Sequence, residues 1–146
     1  MKCKDVMLSH VYSCRETDTA QACARLMQEH NIGFVPVVDN QDKVVGVITD
    51  RDLAVRLVAS GRPSSTKLNE LMTFRELLRC SSDDEMEVVE TRMAKEKKSR
   101  ALVVDAKGKC IGVISLSDVA QFERPERAAR LLHDVAHREA VQITKS

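Results

Sequence analysis

Residues 46–52 read GVITDRD, and residues 112–118 return as GVISLSD, 66 places later. The repetition extends well beyond this heptapeptide. At the same offset Cys14 falls on Cys80, Asp18 on Asp84, Met27 on Met93, and Val37-Val38-Asp39 on Val103-Val104-Asp105. Upstream, Asp5-Val6-Met7 matches Glu70-Leu71-Met72 at an offset of 65, so one residue is gained between the two landmarks. Two copies are too few for a stacked solenoid, in which about three or more repeats are needed to bury the repeated face. The expected product is two similar units packed face to face about a pseudo-twofold axis.

Each copy has the same layout. A short strand is expected at 11–14 and again at 77–80. A helix follows at 19–30, with Ala22, Cys23, Leu26 and Met27 on one face, and at 84–97, with Met86, Val89 and Met93 apolar. Next come two hairpin strands, FVPVVD and KVVGVIT, joined by the polar turn Asn40-Gln41-Asp42; the second copy has RALVVD and KCIGVIS around Ala106-Lys107-Gly108. A second helix opens directly after the hydroxyl residue, in DRDLAVRLVA and in LSDVAQFE. The fold class is therefore α/β (α+β), a β-α-β-β-α unit written twice. The segments are 1–62, 63–124 and a tail at 125–146. Between the copies, Gly61 and Pro63 end a helix, and Ser64 to Thr66 are expected to cap a short new one. In the tail, Ala128, Leu131, Leu132 and Val135 fall at i, i+3, i+4 and i+7, the stripe of an amphipathic helix that needs a surface to cover.

Composition limits the function classes. The 146 residues suit one domain or two small fused units, and 43% hydrophobic content supplies a core. With no Trp, one Tyr and three Phe, that core is aliphatic and Met-rich. Twenty-three basic residues balance twenty-two acidic ones, for a net charge of +1, which argues against nucleic acid as a partner. The local run KEKKSR reads as a solvated helix end. The opening MKCKDVML lacks the apolar core of a signal peptide. No stretch approaches the ~20 apolar residues of a membrane span, so a cytoplasmic location is expected. Five cysteines, an odd number with no C-x-x-C, argue against a disulfide framework or a zinc site and suit small buried fillers.

The repeated heptapeptide supports two readings. As Ser/Thr-x-x-Asp before an apolar run it is a capping box, with Thr49 and Ser115 as N-caps and Asp52 and Asp118 as N3 acids, each cap contributing about 1 kcal/mol. The same atoms suit a nucleotide. Free N–H groups at a helix start hold a phosphate, the hydroxyl can donate to it, and a carboxylate one turn in can accept from a ribose diol. On this reading Gly-Val-Ile keeps bulky side chains away from the turn.

Taken together, DVM at 5–7, GFVPVVD at 33–39, VVGVITDRDL at 44–53, ELM at 70–72, RALVVD at 100–105 and CIGVISLSDV at 110–119 resemble a tandem of CBS domains, a Bateman module. The resemblance covers about residues 3–122. GVITDRDLAVR in particular is similar to small stand-alone bacterial CBS-pair proteins. It implies a non-catalytic regulatory module that senses an adenosyl ligand (AMP, ADP, ATP, S-adenosylmethionine or an NAD-like dinucleotide, with Mg²⁺ as a companion of the phosphates) in two clefts between paired units. Carried over by position, the first cleft takes Thr49 and Asp52 for phosphate and ribose, and Val35 and Pro36 for the base. Ser13 and Cys14 stand at the first strand, and Arg51 is a phosphate partner. The second takes Ser115 and Asp118, with Arg100, Ala101 and Leu102 on the middle strand and Arg79 and Cys80 on the first. Leu102 stands where the family usually has Pro, and Leu116-Ser117 replace Asp50-Arg51. The two sites are therefore expected to be unequal, the first favoured. The family also implies a homodimer of pairs and a regulated protein as partner. The competing reading is a module that has lost its ligand and only dimerises or docks.

Other candidates are weaker. His133 and His137 share a helix face, but Glu139 does not join them, so a surface pair is expected rather than a metal site. His10 and His30 are isolated. Cys14 and Cys80 occupy equivalent positions beside the expected clefts. A sensing role there needs a depressed thiol pKa, and small apolar filling is the simpler reading. Neither a catalytic triad nor a phosphate-binding glycine loop is evident.

Overall fold

The computed structural model describes residues 1–145, with side chains described through Ala136. Two compact units are present. One is formed by Tyr12–Leu77 with Lys107–Lys109, the other by Met1–Val11, Leu78–Ala106 and Cys110–Ser146. The β-α-β-β-α layout appears in each.

In the first unit, β1 (Cys14–Arg15) pairs parallel with β2 (Phe34–Val38), which pairs antiparallel with β3 (Val44–Thr49). α2 (Ala20–His30) starts at Thr19, whose hydroxyl accepts from the Ala22 N–H at 3.2 Å, and stops at Asn31 in the left-handed conformation. It buries Ala20, Cys23 and Met27 and leaves Ala22 exposed, so the apolar face is turned slightly from the expected one. The hairpin turn is tied by Asp39, whose Oδ1 accepts from the N–H groups of Gln41 at 2.8 Å and Lys43 at 3.0 Å. Those two bonds hold its carboxyl below the usual range. After β3, α3 is a turn of α-helix at Asp50–Asp52 that widens into π-helix at Leu53–Val58. The short helix expected to be capped by 64–66 is a 3₁₀ turn at Leu68–Glu70, preceded by Lys67 and without a side-chain cap.

The second unit repeats this with β4 (Arg79–Cys80), α4 (Met86–Glu96), β5 (Arg100–Val104), β6 (Cys110–Ser115) and α5 (Leu116–Phe122). The sheet order is again edge, centre, edge, with one parallel and one antiparallel pair. Both central strands carry a register shift at the same point, Val37/Val38 and Val103/Val104. The unit adds α1 (Cys3–Val6), which buries Cys3 and Val6, and α6 (Pro125–Lys145). Along α6, Leu131 and Val135 are 3% and 2% exposed and Ala128 packs beside them, but Leu132 is 55% exposed and falls off the stripe. The first strands are two residues long and begin later than expected, because pairing with β2 and β5 starts only at Cys14 and Arg79.

Within each unit the landmark segment comes from the other copy of the repeat: residues 5–7 belong to the second unit and residues 70–72 to the first. Met7 lies over Gly112 of β6, while Met72 lies over Gly46 of β3. A Cβ on Gly112 would stand 2.5 Å from the Met7 sulfur, and one on Gly46 would stand 2.7 Å from the Met72 sulfur. The glycine of Gly-Val-Ile therefore makes room for a methionine, which corrects the expectation that it clears space at the turn.

Candidate functional site

At each corner where the last strand enters a helix, both halves of a capping box are formed. The Thr49 hydroxyl accepts from the Asp52 N–H at 3.1 Å, and Asp52 Oδ2 accepts from the Thr49 N–H at 3.0 Å. In the second unit the Ser115 hydroxyl accepts from the Asp118 N–H at 3.3 Å, and Asp118 Oδ2 accepts from the Ser115 N–H at 2.8 Å. The capping role read from the sequence is thus present twice. Each acid commits one oxygen to it and keeps the other.

The remaining oxygens differ. Asp52 Oδ1 lies 3.6 Å from Nε of Arg56, one helical turn on. Arg56 is held in place because its Nη1 donates to the carbonyls of Leu71 at 3.1 Å and Met72 at 3.2 Å. Position 122, the counterpart of Arg56, is Phe. Among the described residues no cation pairs with Asp118. Its carboxylate also accepts from the Ser115 hydroxyl at 2.9 Å, and that hydroxyl meets the Ser117 hydroxyl at 2.8 Å. Sequence reasoning singled out Arg51, which is exposed, and missed Arg56, although the i, i+4 rule for acid and base on a helix points to it.

Strand register gathers several expected site residues around each corner. Phe34 faces Thr49, and Arg100 faces Ser115. Ser13 precedes Cys14, the partner of Val37, and so lies level with Pro36; Arg79 pairs directly with Leu102. The pleat then separates the residues along the central strands. Val35 and Ala101 are fully buried in the two cores, whereas Pro36 and Leu102 take the opposite face. Ser13, Arg79 and Arg100 are exposed.

Cys14 and Cys80 point into the cores, each beside a second cysteine. The Cys3 and Cys80 sulfurs are 3.9 Å apart, and burial with that neighbour pushes the Cys80 thiol up to about 12. Cys14 is drawn down by its hydrogen bond with Cys23, while that bond and burial push Cys23 up. Four of the five cysteines are buried, as fillers should be. Two cavities open at the far end of the sheets, in equivalent places. One, of about 300 Å³, is lined by Arg15, Glu16, Val38 and Asp39; the other, of about 610 Å³, is lined by Arg79, Cys80, Asp84 and Val104 among others. Arg79 and Cys80 are thus the expected site residues that touch the larger cavity. Among the described residues no group of three or more His, Cys, Asp or Glu side chains is placed to hold a metal ion. Of the expected His133 and His137 pair, the side chain of His137 lies outside the described residues. Among the described residues no helix is long and apolar enough to cross a membrane.

Comparison with known proteins agrees with this architecture. The CBS domain model matches residues 3–59 and 68–124. The chain is 33% identical over 135 residues to the CBS domain-containing protein YhcV of Bacillus subtilis, covering 92% of this chain and 94% of that one. Among solved structures, a putative acetoin utilization protein (AcuB) from Vibrio cholerae is 28% identical, with a TM-score of 0.74 over 91% of this chain and 93% of that one. The CBS domain pair of protein MJ0100, solved in complex with 5-methylthioadenosine and S-adenosyl-L-methionine, is 26% identical, with a TM-score of 0.72 over 83% of this chain and 94% of that one.

Proposed function

The chain belongs to the CBS-domain family, and from that membership we propose that it is a non-catalytic regulatory module that binds an adenosyl ligand: AMP, ADP, ATP, S-adenosylmethionine or an NAD-like dinucleotide. The observation that carries this reading is the adenosyl pair bound by the similar MJ0100 module. The corner chemistry supports it. Each strand–helix corner offers a hydroxyl and a carboxylate whose second oxygen is outside the capping box. That oxygen suits a ribose diol, and the helix start suits a phosphate. At the first corner Thr49 and Asp52 would take these roles, with Ser13, Cys14, Val35, Pro36 and Arg51 around them. At the second, Ser115 and Asp118 would act, with Arg79, Cys80, Arg100, Ala101 and Leu102. A ligand that favours one arrangement of the module shifts its population, and a regulated partner protein reads the shift.

Thermal melting against AMP, ADP, ATP, S-adenosylmethionine and NAD, each with and without Mg²⁺, tests this directly. A ligand at about 100 times its dissociation constant adds roughly 2.7 kcal/mol, which for a chain this size raises the midpoint by several degrees. A flat response from a cooperatively melting protein rejects ligand sensing. It would favour a dimerising or docking module, a reading supported by the apolar Val55, Val58 and Phe74, which are 51%, 72% and 55% exposed.

A further inference from the structure

Helix α4 buries Met86, Val89, Glu90 and Met93, so a carboxyl occupies one place in an otherwise apolar stripe. The Glu90 side chain is 8% exposed. Beside it stands Glu123, at the corner between α5 and α6, 9% exposed. One cation serves both. Arg127 of α6 reaches Glu90 Oε2 at 2.8 Å and Glu123 Oε2 at 2.9 Å, and also the exposed Glu87 of α4 at 3.2 Å. Glu123 Oε2 is buried and has no hydrogen bond, its approach to Arg127 being a charge contact only. Among the described residues, the other charged groups facing this place are Arg124, just before α6, and Arg130 and Asp134 of α6, which line the same groove of about 720 Å³. Among the described residues none of these three forms an ion pair with Glu90 or Glu123. Two carboxylates, each more than nine-tenths buried, share one directly paired guanidinium, and retaining one proton on Glu90 lowers the cost of burying the second charge.

We propose that a proton retained on Glu90, beside the Glu123 carboxylate, fastens α6 to α4, so that seating of the C-terminal helix responds to pH. Burial, then the adjacent Glu123 carboxylate, push the Glu90 carboxyl up to about 7, with Arg127 offsetting part of the rise. The sign follows. A carboxyl raised above its unfolded value binds more protons when folded, so its contribution is complete in acid and declines as pH climbs toward 7. This device is independent of any ligand at the two corners.

Hydrogen exchange along residues 125–136 tests it, with E90Q measured beside wild type at each pH so that the intrinsic pH dependence cancels. Glutamine keeps the shape and a donor but has no proton to lose. The ratio of wild-type to E90Q protection is expected to fall about tenfold between pH 6 and pH 8. A constant ratio overturns the proposal. If E90Q does not fold, E90M, which also has no proton to lose and completes the apolar stripe, serves as the reference with the same expectation. Should both variants fail, carbon-13 titration of the wild-type glutamate carboxyls decides: the Glu90 carboxyl titrating between pH 6 and 8 supports the fastener, and its ionising below pH 6 rejects it.

Discussion

Gly46 and Gly112 carry a steric demand that the heptapeptide does not announce. Each lies under a methionine distant in sequence, yet the two contacts differ in kind. Over Gly112 the nearest atoms are all from the Met7 side chain; over Gly46 the Thr73 carbonyl oxygen also stands 2.9 Å from where a Cβ would be. Overpacking of this sort costs roughly 1–3 kcal/mol, so Gly112→Ala and Gly46→Ala should both lower stability by that amount in urea unfolding. Adding Met7→Ala to the first should recover part of the loss, seen as a favourable coupling in a double-mutant cycle. Adding Met72→Ala to the second should recover less, since the backbone oxygen stays. Equal recovery in both cycles would mean that the Thr73 carbonyl yields freely and that only the methionines matter.

Elements were legible in the sequence to the extent that their cause is local. The repeated layout, the paired hairpin strands around polar turns and the Ser/Thr-x-x-Asp corners are local patterns, and the structure has all of them. What escaped depends on distant partners. The α1 turn at Cys3–Val6 has no periodicity of its own, and takes shape against the second copy, where the N–H groups of Cys3 and Lys4 donate to the carbonyls of Asp84 and Ser82 at 2.9 and 3.0 Å. Glu90 is an instructive miss, because its spacing from Met86 and Val89 placed it on the buried face all along. The tail shows the limit of spacing rules: Leu131 and Leu132 both fit the apolar stripe, and only packing against the second unit's core separates them. Leu131→Ala should therefore cost about 2–5 kcal/mol, whereas Leu132→Ala should change stability by less than about 0.5 kcal/mol. Chemical denaturation of the two variants would check this, and similar losses in both would mean that Leu132 is covered in solution.

For the molecule as a whole, the proposed adenosyl site poses a question through the duplicated corner: which copy would bind. The sequence favours the first, for its Asp50-Arg51 and its Pro36. The second oxygen of the acid points the other way. At the first corner it is engaged by Arg56, itself fixed by two carbonyls, so a ribose must compete with an ion pair already in place. At the second, among the described residues no cation competes for Asp118, and Arg79 and Arg100 stand on neighbouring strands of the same sheet. A hydrogen bond to a charged group contributes about 1.5–3 kcal/mol, or roughly one to two orders of magnitude in affinity. Calorimetry with whichever adenosyl compound raises the melting point should therefore resolve a tighter event that Asp118→Asn weakens at least tenfold and a looser one that Asp52→Asn weakens. Removing the competitor, in Arg56→Gln, should tighten the looser event. If Asp118→Asn leaves the tighter event intact while Asp52→Asn abolishes it, the first corner is the principal site, and Arg56 is then better read as holding Asp52 ready for the ribose than as competing with it.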